Sequence, residues 1–339
     1  MDLCRKAGME NSLSTAQDNR IIYDLESRVR PASQVRSCVE QRTTSLGTCS
    51  IMDSATYLPG PNLLITAEDQ ILEESTLYTQ SLFKALASVQ YSFAPPKFSL
   101  FCRKPLLFAT GFWQNGYWHW VTETLTRVLI AKEAGFDGIV LFDGLGFQRE
   151  SLVALGFNEE DLFATKEPIS AREFWVPQNV RGSSAHEHRE VFQRLVATLS
   201  VPSPFASRRL FIDRTDAGNG RDIVNKRDVL ELVSAFEFEV LHPSGMSFQN
   251  QLTHYGQAKV LLGAHGAGMA NTLFMPAGGY HIECFSSNYK NECNRELAGV
   301  AGHRYTPLVT PPHRHTPTDC PFVELEQLER VLKRVCTIL

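Results

Sequence analysis

Residues 258–285 read AKVLLGAHGAGMANTLFMPAGGYHIECF, and this stretch decides the predicted fold. An apolar run that is typical of a buried strand ends at Gly263, and Gly266 and Gly268 follow it in a tight turn. A short helix is predicted over residues 267–274, and proline and glycines then lead into a second strand. This order is typical of a cradle for a nucleotide diphosphate, because the start of the helix offers free N–H groups to an anion.

The same glycines also fit a simpler interpretation, in which the turn only allows a helix and a strand to pack closely. Their spacing, Gly-x-x-Gly-x-Gly, differs from the fingerprint of dinucleotide-binding folds. His265 lies at the mouth of the predicted cradle, where its imidazole could form a hydrogen bond with a phosphate. Glu283 lies in the following strand, where its carboxylate could accept from ribose hydroxyls or serve as a paired structural acid.

Short apolar runs alternate with helical patterns along the rest of the chain from Leu58 onward. Most of these runs are continuous, which is typical of strands that helices cover on both faces of a parallel sheet. The sequence therefore predicts an α/β protein with sheets of the doubly wound type. The predicted strands include residues 63–66, 105–110, 138–142, 174–176, 210–212, 238–241, 260–262, 280–285 and 305–309.

Composition and charge exclude several classes of protein. The chain has 339 residues, of which 43% are hydrophobic and 21% are charged, so it is neither disordered nor collagen-like and is long enough for about two domains. The 33 Lys and Arg and the 37 Asp and Glu give a net charge of -4. A protein that binds nucleic acid through a broad basic face has an excess of cationic residues, so this balance argues against such a partner. It allows a local basic cleft for a small anion.

Secretory and membrane-spanning segments are not recognisable in the sequence. The N-terminal residues lack the apolar segment of a secretory signal, and no run approaches the roughly 18 apolar residues of a transmembrane helix. The eight cysteines show no zinc-binding spacing and are interpreted mainly as buried free thiols in a reducing compartment. A cytoplasmic protein without an integral membrane span is therefore expected.

A boundary between two domains is predicted at residues 200–207, where two prolines and three serines separate two periodic regions. The N-terminal domain would cover residues 1–200, of which the polar residues 1–55 are interpreted as a loosely packed lead-in. A C-terminal domain follows over residues 208–310. The tail, residues 311–339, ends in an amphipathic helix whose apolar stripe must dock on a neighbouring surface, and the first domain is one candidate.

A second group of chemical side chains lies on a helix predicted from Tyr117 to Glu133, directly after an apolar strand and an Asn-Gly turn. His119, Glu123 and Arg127 are spaced by four residues and therefore line one face of that helix. Ligands bind at the carboxyl ends of strands in open α/β sheets, so His119 is a candidate general base that Glu123 holds. The alternative is a solvated helix face with a structural histidine.

Two arginines follow the strand predicted at residues 210–212 and flank a loop rich in glycine, asparagine and aspartate. The guanidinium groups of Arg214 and Arg221 could clamp a diphosphate, because each can donate two parallel hydrogen bonds. The alternative is a solvated basic loop that the nearby aspartates neutralise. The residues from Asn225 onward are interpreted as the capped start of a helix.

Three motifs occur in a fixed order along the chain. They are NGYWHWVTE at residues 115–123, FIDR at residues 211–214 with Arg221 and Asn225 behind it, and GAHGAGMANTLFMPAG at residues 263–278 with Glu283 downstream. In this order they resemble glycosyltransferase family 61, which includes plant xylan arabinosyl- and xylosyltransferases and protein O-linked N-acetylglucosaminyltransferases. The resemblance extends over about residues 58–309.

The resemblance implies a GT-B fold, in which two Rossmann-like domains face each other across a cleft. It also implies an inverting hexosyl- or pentosyltransferase that moves a sugar from a nucleotide donor, usually UDP-linked, to a glycan or glycoconjugate acceptor. The domain of residues 208–310 would bind the nucleotide sugar, and that of residues 1–200 the acceptor. Because the chain has no Asp-x-Asp motif, no metal and no cofactor are expected, and cationic side chains would stabilise the leaving diphosphate.

Residue roles carry over from the family by position. His119 and Glu123 are the expected catalytic residues, and Asn115, Trp118 and Arg127 are expected on the acceptor side. The expected donor-binding residues are Arg214, Arg221, Gly263, His265, Gly266, Ala267, Gly268, Asn271 and Glu283.

The sequence departs from the family pattern at Asp213 and Asn250, among other positions. Asp213 stands where serine is usual, and Asn250 lies in a run that usually ends in Glu-Gln. These departures leave a non-catalytic nucleotide-sugar binder as one alternative. An NAD(P)-dependent α/β oxidoreductase that uses the glycine-rich turn is the other, and Glu283 is only a weak match to its acidic ribose ligand.

Overall fold

The computed structural model describes residues 24–76, 79–88, 99–201, 203, 205–214, 221–289, 291–310 and 320–338. The beginning of the predicted lead-in, the glycine-rich loop between the two candidate arginines and the start of the C-terminal tail lie outside these residues. The chain divides into two compact units, residues 1–180 and residues 181–339. Both units combine helices and sheets, so the predicted α/β class is confirmed.

The first unit contains a mixed sheet, which has ten strands within the described residues. The strands are β1 (Val29–Arg30), β2 (Cys38–Thr43), β3 (Thr48–Leu58), β4 (Leu63–Ile65), β5 (Ile71–Leu72), β6 (Leu100–Cys102), β7 (Leu106–Leu107), β8 (Ile139–Phe142), β9 (Leu162–Ala164) and β10 (Ile169–Pro177). They lie in the order β1-β5-β4-β3-β10-β7-β8-β9, with β2 beside β3 and β6 beside β10. Strands β10, β7, β8 and β9 are parallel, whereas β3 pairs antiparallel with β10.

The lead-in predicted over residues 1–55 is wrong from Val29 onward, because this segment supplies strands β1 to β3. Strand β3 pairs with β10 along most of its length, and its residues Cys49 and Met52 are completely buried. Asp53 and Ser54, which lie between the buried residues Met52 and Ala55, are exposed. Polar side chains on the solvated face of an antiparallel strand make the segment look polar, although its other face packs in the core.

The helix predicted from Tyr117 to Glu133 is confirmed, and it contains a feature that the sequence did not indicate. Its middle part, Trp120–Thr124, is a π-helical turn between Tyr117–His119 and Leu125–Glu133. Such turns insert one extra residue into a helix and occur frequently at functional sites. Within the described residues, the other helical segments of this unit are Ala32–Gln34, Glu73–Ser75, Thr79–Ser88, Gly146–Ala154 and Glu159–Asp161.

The second unit contains a parallel sheet, which has five strands within the described residues. The strands are β11 (Arg208–Ile212), β12 (Phe238–Leu241), β13 (Ala258–Ala264), β14 (Tyr280–Ser286) and β15 (Arg304–Thr310). Their order is β12-β11-β13-β14-β15, and every neighbouring pair is parallel. Across both units, each of the nine apolar runs predicted as strands overlaps a strand of the structure.

The C-terminal helix packs in the second unit. Its residues Leu328 and Leu332 are fully buried in one core with Val229 and Val233 of a second helix and with Val260 of the sheet. The apolar stripe, for which the first domain was one candidate docking surface, therefore packs in the core of its own unit. In the part of this unit that the structure describes, the helical segments are Gly182–His188, Arg189–Leu199, Lys226–Ala235, Pro243–Gly245, Phe248–Gly256, Ala267–Phe274, Cys293–Val300 and Leu325–Ile338.

Asn225 joins the start of one helix to the C-terminal segment, and it does not cap that helix with its side chain as predicted. Its Nδ2 donates to the carbonyl oxygen of Val323 over 2.8 Å, and the Val323 N–H donates to its Oδ1 over 2.9 Å. The Val224 N–H donates to the Pro321 carbonyl over 3.0 Å. These bonds satisfy backbone groups that precede the C-terminal helix and hold it in place.

Candidate functional site

The topology of the second unit creates a crevice where two of the sequence motifs meet. The chain runs from β11 outward to β12, and then returns to the other side of β11 to form β13. Ligands bind at such a switch point, at the carboxyl ends of the two strands. Ile212 at the end of β11 pairs with Gly263 near the end of β13. The next residues, Arg214 on one side and His265 and Gly266 on the other, therefore lie close together.

The guanidinium group of Arg214 lies directly against Gly266. Its Nη1 donates a hydrogen bond to the carbonyl oxygen of His265. A Cβ atom on Gly266 would lie 1.3 Å from that nitrogen and 2.2 Å from Cζ, so the absence of a side chain makes this contact possible. The φ of Gly266 is 172°, which is an extended backbone, so the need for glycine here is steric.

The charge of Arg214 is retained although the side chain is mostly buried. Burial lowers its pKa to about 10, with a further contribution from the like charge of Arg221, so the guanidinium is protonated at neutral pH. A protonated group held in a partly desolvated position interacts more strongly with an anion than one in water. The crevice therefore contains a fixed positive charge.

A row of aromatic rings connects His265 to the second candidate arginine. The His265 ring stacks on the Phe285 ring with 5.2 Å between their centroids. The centroids of the His265 and Tyr289 rings are 5.4 Å apart. The guanidinium carbon of Arg221 lies 4.6 Å from the centroid of Tyr289. The structure thus brings Arg214, Arg221 and His265 into one neighbourhood, as expected for residues that hold a diphosphate.

Glu283 is fully buried behind His265 and accepts three hydrogen bonds. The His265 Nδ1 lies 2.8 Å from Oε1, Asn294 Nδ2 donates to Oε1 over 2.6 Å, and the Tyr305 hydroxyl donates to Oε2 over 2.7 Å. Burial would raise the pKa of this carboxyl group, but the hydrogen bonds from His265 and Asn294 help to lower it below its usual value. Of the two roles considered for Glu283, the paired structural acid is the one that this geometry supports, and direct contact with ribose is corrected.

The remaining residues of the glycine-rich segment divide into accessible and buried positions. Ala267 is exposed and Gly268 is half-buried at the start of the helix Ala267–Phe274, where N–H groups have no partner within the helix. Gly263 is buried, and a Cβ there would lie 3.1 Å from the Cβ of Ile212. Asn271 is fully buried, and its Nδ2 donates to Gln251 Oε1 over 2.8 Å. The expected donor contacts of Gly263 and Asn271 are therefore corrected to roles in packing.

The first unit holds the second candidate group, on the helix that contains the π-helical turn. His119 Nδ1 lies 2.9 Å from Glu123 Oε2, and the side chains are 29% and 5% exposed. The rings of Trp113 and Trp118 lie 6.3 Å and 5.0 Å from the His119 ring. An accessible imidazole is thus backed by a buried carboxylate, which is the arrangement of an oriented general base. Of the expected acceptor-side residues, Asn115 is exposed, whereas Trp118 is buried and contacts His119.

Arg127 does not share the accessible face of His119, contrary to the expectation from its spacing. Its side chain is fully buried, and Nη1 donates to the carbonyl oxygens of Ala109 and Thr110 over 3.0 Å and 2.8 Å. Nη2 donates to the carbonyl oxygens of Glu74 and Pro177 over 3.0 Å and 3.1 Å. The acceptor-side role of Arg127 is therefore corrected to a structural one, in which it joins three segments of the unit.

Several residues of the two groups could not be identified from the sequence. They lie on different elements, namely Phe285 on β14, Tyr305 on β15, Asn294 on the helix Cys293–Val300 and Tyr289 in a loop. The residues on β14 and β15 come together only through the register of these parallel strands. Asp213, a departure from the family pattern, forms an ion pair with Lys226 over 2.6 Å. This pairing gives the unusual aspartate a structural partner.

Two searches for further features give negative results within the described ranges. In that part of the chain, no cluster of three or more His, Cys, Asp or Glu side chains is placed to hold a metal ion. Among the same residues, no helix has the length and apolar character needed to cross a membrane.

A comparison with models of protein families gives a match over part of the chain. The family model described as Glycosyltransferase 61 matches residues 117–282, a region that contains both the His119–Glu123 pair and the Arg214–Gly266 contact. No curated protein matches the chain.

Proposed function

We propose that the protein is a member of glycosyltransferase family 61, whose model matches residues 117–282, and that it transfers a sugar from a UDP-linked donor to a hydroxyl group of a glycan or glycoconjugate. The proposal includes inversion at the anomeric carbon, a GT-B fold, a reaction without a metal ion and donor binding in the second unit. It rests mainly on the contact between Arg214 and Gly266 at the switch point of the parallel sheet. A charged group is held there by a turn that accepts no side chain.

The donor site is proposed to act on the leaving group. As the bond between the anomeric carbon and the diphosphate breaks, negative charge develops on the diphosphate oxygens. Fixed donors that face this charge lower the barrier, and removal of one such donor costs roughly 3–4 kcal/mol in characterised enzymes. Arg214, Arg221 and the N–H groups at residues 267–268 supply positive charge and donors in one neighbourhood, so a bound metal ion is not required.

The acceptor is proposed to lose its proton to a side chain of the enzyme. The acceptor oxygen attacks the anomeric carbon from the side opposite the diphosphate and loses its proton to a base, which is the chemistry that inversion demands. His119 is the proposed base. Glu123, 2.9 Å from Nδ1, would stabilise the imidazolium that forms, because the carboxylate is buried and compensates the new charge.

The proposed activity can be tested with a panel of nucleotide sugars. We expect UDP to raise the melting temperature of the protein, with the effect preserved in EDTA, and at least one UDP-sugar to release UDP when acceptor glycans are present. Stabilisation by NAD(P) in place of UDP would favour the oxidoreductase. Binding of UDP-sugars without turnover for any acceptor would favour a non-catalytic binder, and loss of UDP binding in EDTA would contradict the metal-free reaction.

The His119→Ala variant is expected to separate chemistry from donor binding. We expect a decrease in kcat of roughly 10²–10⁴-fold, which is the range for loss of a general base, with UDP affinity unchanged. His186→Ala is the matched control, because the His186 side chain is 59% exposed in the second unit and outside both groups. Steady-state turnover and UDP titration of both variants provide the measurement. Wild-type turnover by His119→Ala would remove His119 from the mechanism.

A further inference from the structure

His265 has one ring nitrogen that is committed to the protein. Nδ1 lies 2.8 Å from Glu283 Oε1, and the lowered pKa of Glu283 keeps that carboxyl group ionised at neutral pH. An ionised carboxylate accepts hydrogen bonds and donates none, so the proton of this contact lies on Nδ1. Asn294 and Tyr305 donate to the same carboxylate and fix its position.

The other ring nitrogen is left for a ligand. The His265 side chain is 11% exposed, and Nε2 forms no hydrogen bond with any residue that the structure describes. With the proton on Nδ1, Nε2 of the neutral ring is an acceptor and cannot bond a phosphate oxygen, which is also an acceptor. Protonation turns Nε2 into a donor. A diphosphate therefore gains a hydrogen bond from this ring only when the ring takes up a proton.

We propose that Glu283 is a positioning residue of the donor site, which sets the tautomer of His265 so that diphosphate binding is coupled to uptake of one proton at Nε2. This inference rests on the proposed function, because it takes a nucleoside diphosphate as the ligand. Glu283 is fully buried, so in this role it acts on the ligand through His265 and not by direct contact.

Glu283 is the described group that can compensate the new charge on His265. The other charged groups around the ring, Arg214 and Arg221, are cations and oppose its protonation. Burial lowers the pKa of His281 to about 4, so this neighbour, whose Nε2 lies 3.9 Å from Glu283 Oε2, is neutral at physiological pH. Burial and the carboxylate raise the pKa of Tyr305, which keeps its hydroxyl a donor.

The Tyr289 ring faces His265 from the loop after β14 and completes this set of titratable neighbours. In the neutral pH range the carboxylate of Glu283 therefore faces the two guanidinium groups and the neutral ring of His281, and Asp222 interacts with Arg214. The balance of charge at His265 depends on Glu283, and so does the coupling between ligand and proton.

The coupling can be measured by titration of UDP at several pH values with the wild type and the His265→Gln variant. UDP itself titrates in this pH range. This titration affects the wild type and the variant equally, so it cancels in the ratio of their UDP affinities. We expect the wild-type advantage to decrease by about tenfold as the pH rises from about 6 to 8, because a binding step that takes up a proton weakens as the proton concentration falls. A ratio that does not change with pH would overturn the inference, and this comparison does not depend on any Glu283 variant.

The Glu283→Gln variant tests the positioning role itself. Glutamine has the same shape and can still accept from His265, but it lacks the charge, so we expect UDP affinity at neutral pH to decrease by about tenfold and its pH dependence to move to lower pH. Glu239→Gln is the matched control. It makes the same change of charge at a 48% exposed side chain on β12 that pairs with Arg208, so the pH profile should remain that of the wild type.

The outcomes separate this inference from the proposed function. A wild-type pH profile in Glu283→Gln would overturn the positioning role while UDP binding itself persisted. Absence of UDP binding by the wild type at every pH would overturn the proposed function, and the inference with it.

Discussion

Replacement of Gly266 with alanine is expected to weaken UDP binding by about 10- to 150-fold, the equivalent of one charge-assisted hydrogen bond of roughly 1.5–3 kcal/mol. The new Cβ would lie 1.3 Å from Arg214 Nη1, so the guanidinium must leave its position against the turn. The extended φ of Gly266 is accessible to alanine, and the backbone itself need not change. Isothermal titration with UDP measures the effect, and unchanged affinity would contradict the assignment of this turn to the donor site.

Two further variants identify the cause of that loss. Gly299→Ala is the matched control, because a Cβ at Gly299 has no neighbour within 4 Å, and we expect wild-type affinity. The second is Arg214→Ala, alone and combined with Gly266→Ala. If alanine acts by displacing Arg214, the double variant should bind no more weakly than Arg214→Ala alone, whereas independent effects would add.

Replacement of Arg127 with methionine is expected to destabilise the first unit by at least about 3 kcal/mol, because it removes the donor to four carbonyl oxygens inside the protein. The carbonyls belong to Ala109, Thr110, Glu74 and Pro177, so three separate segments lose their common partner. This is a large fraction of the stability of a typical domain, which is about 5–15 kcal/mol. Urea unfolding followed by tryptophan fluorescence measures the change.

A surface arginine provides the control for this experiment. The Arg149 side chain is 43% exposed, and its Nη1 pairs with Glu159 over 2.7 Å. Arg149→Met should cost less than about 1 kcal/mol, since exposed ion pairs contribute little. Equal unfolding midpoints for Arg127→Met and the wild type would show that Arg127 is not a structural clamp, and would make its contact with an acceptor worth testing again.

The sequence predicts the parts of the fold that apolar patterning controls. Strands β11, β13 and β14 are buried on both faces, so they read as continuous apolar runs, and the helix over residues 117–133 shows a clear apolar stripe. The glycine-rich turn is also recognisable, because close approach of backbone and side chain leaves no alternative to glycine. These features are local, and each follows from the residues that form it.

The missed features depend on distant partners. Strand β3 is half polar, and its place in the sheet depends on pairing with β10. Spacing by four places Arg127 on the same side of a helix as His119, but it does not reveal that the helix is buried almost all round from Trp120 to Ala131. The partners of Glu283 meet it through the register of parallel strands, which packing sets and a single sequence does not display.

The pairing of β3 with β10 has a consequence for how the protein is made. Thr56 and Ser170, which share a hydrogen bond in this pairing, are 114 positions apart. During synthesis, β3 leaves the ribosome long before its neighbour, and one long edge of it stays open until Pro177 has emerged. An open edge of this length is a surface on which other nascent chains can pair. Fragments intended to isolate the first unit therefore need to extend through Pro177.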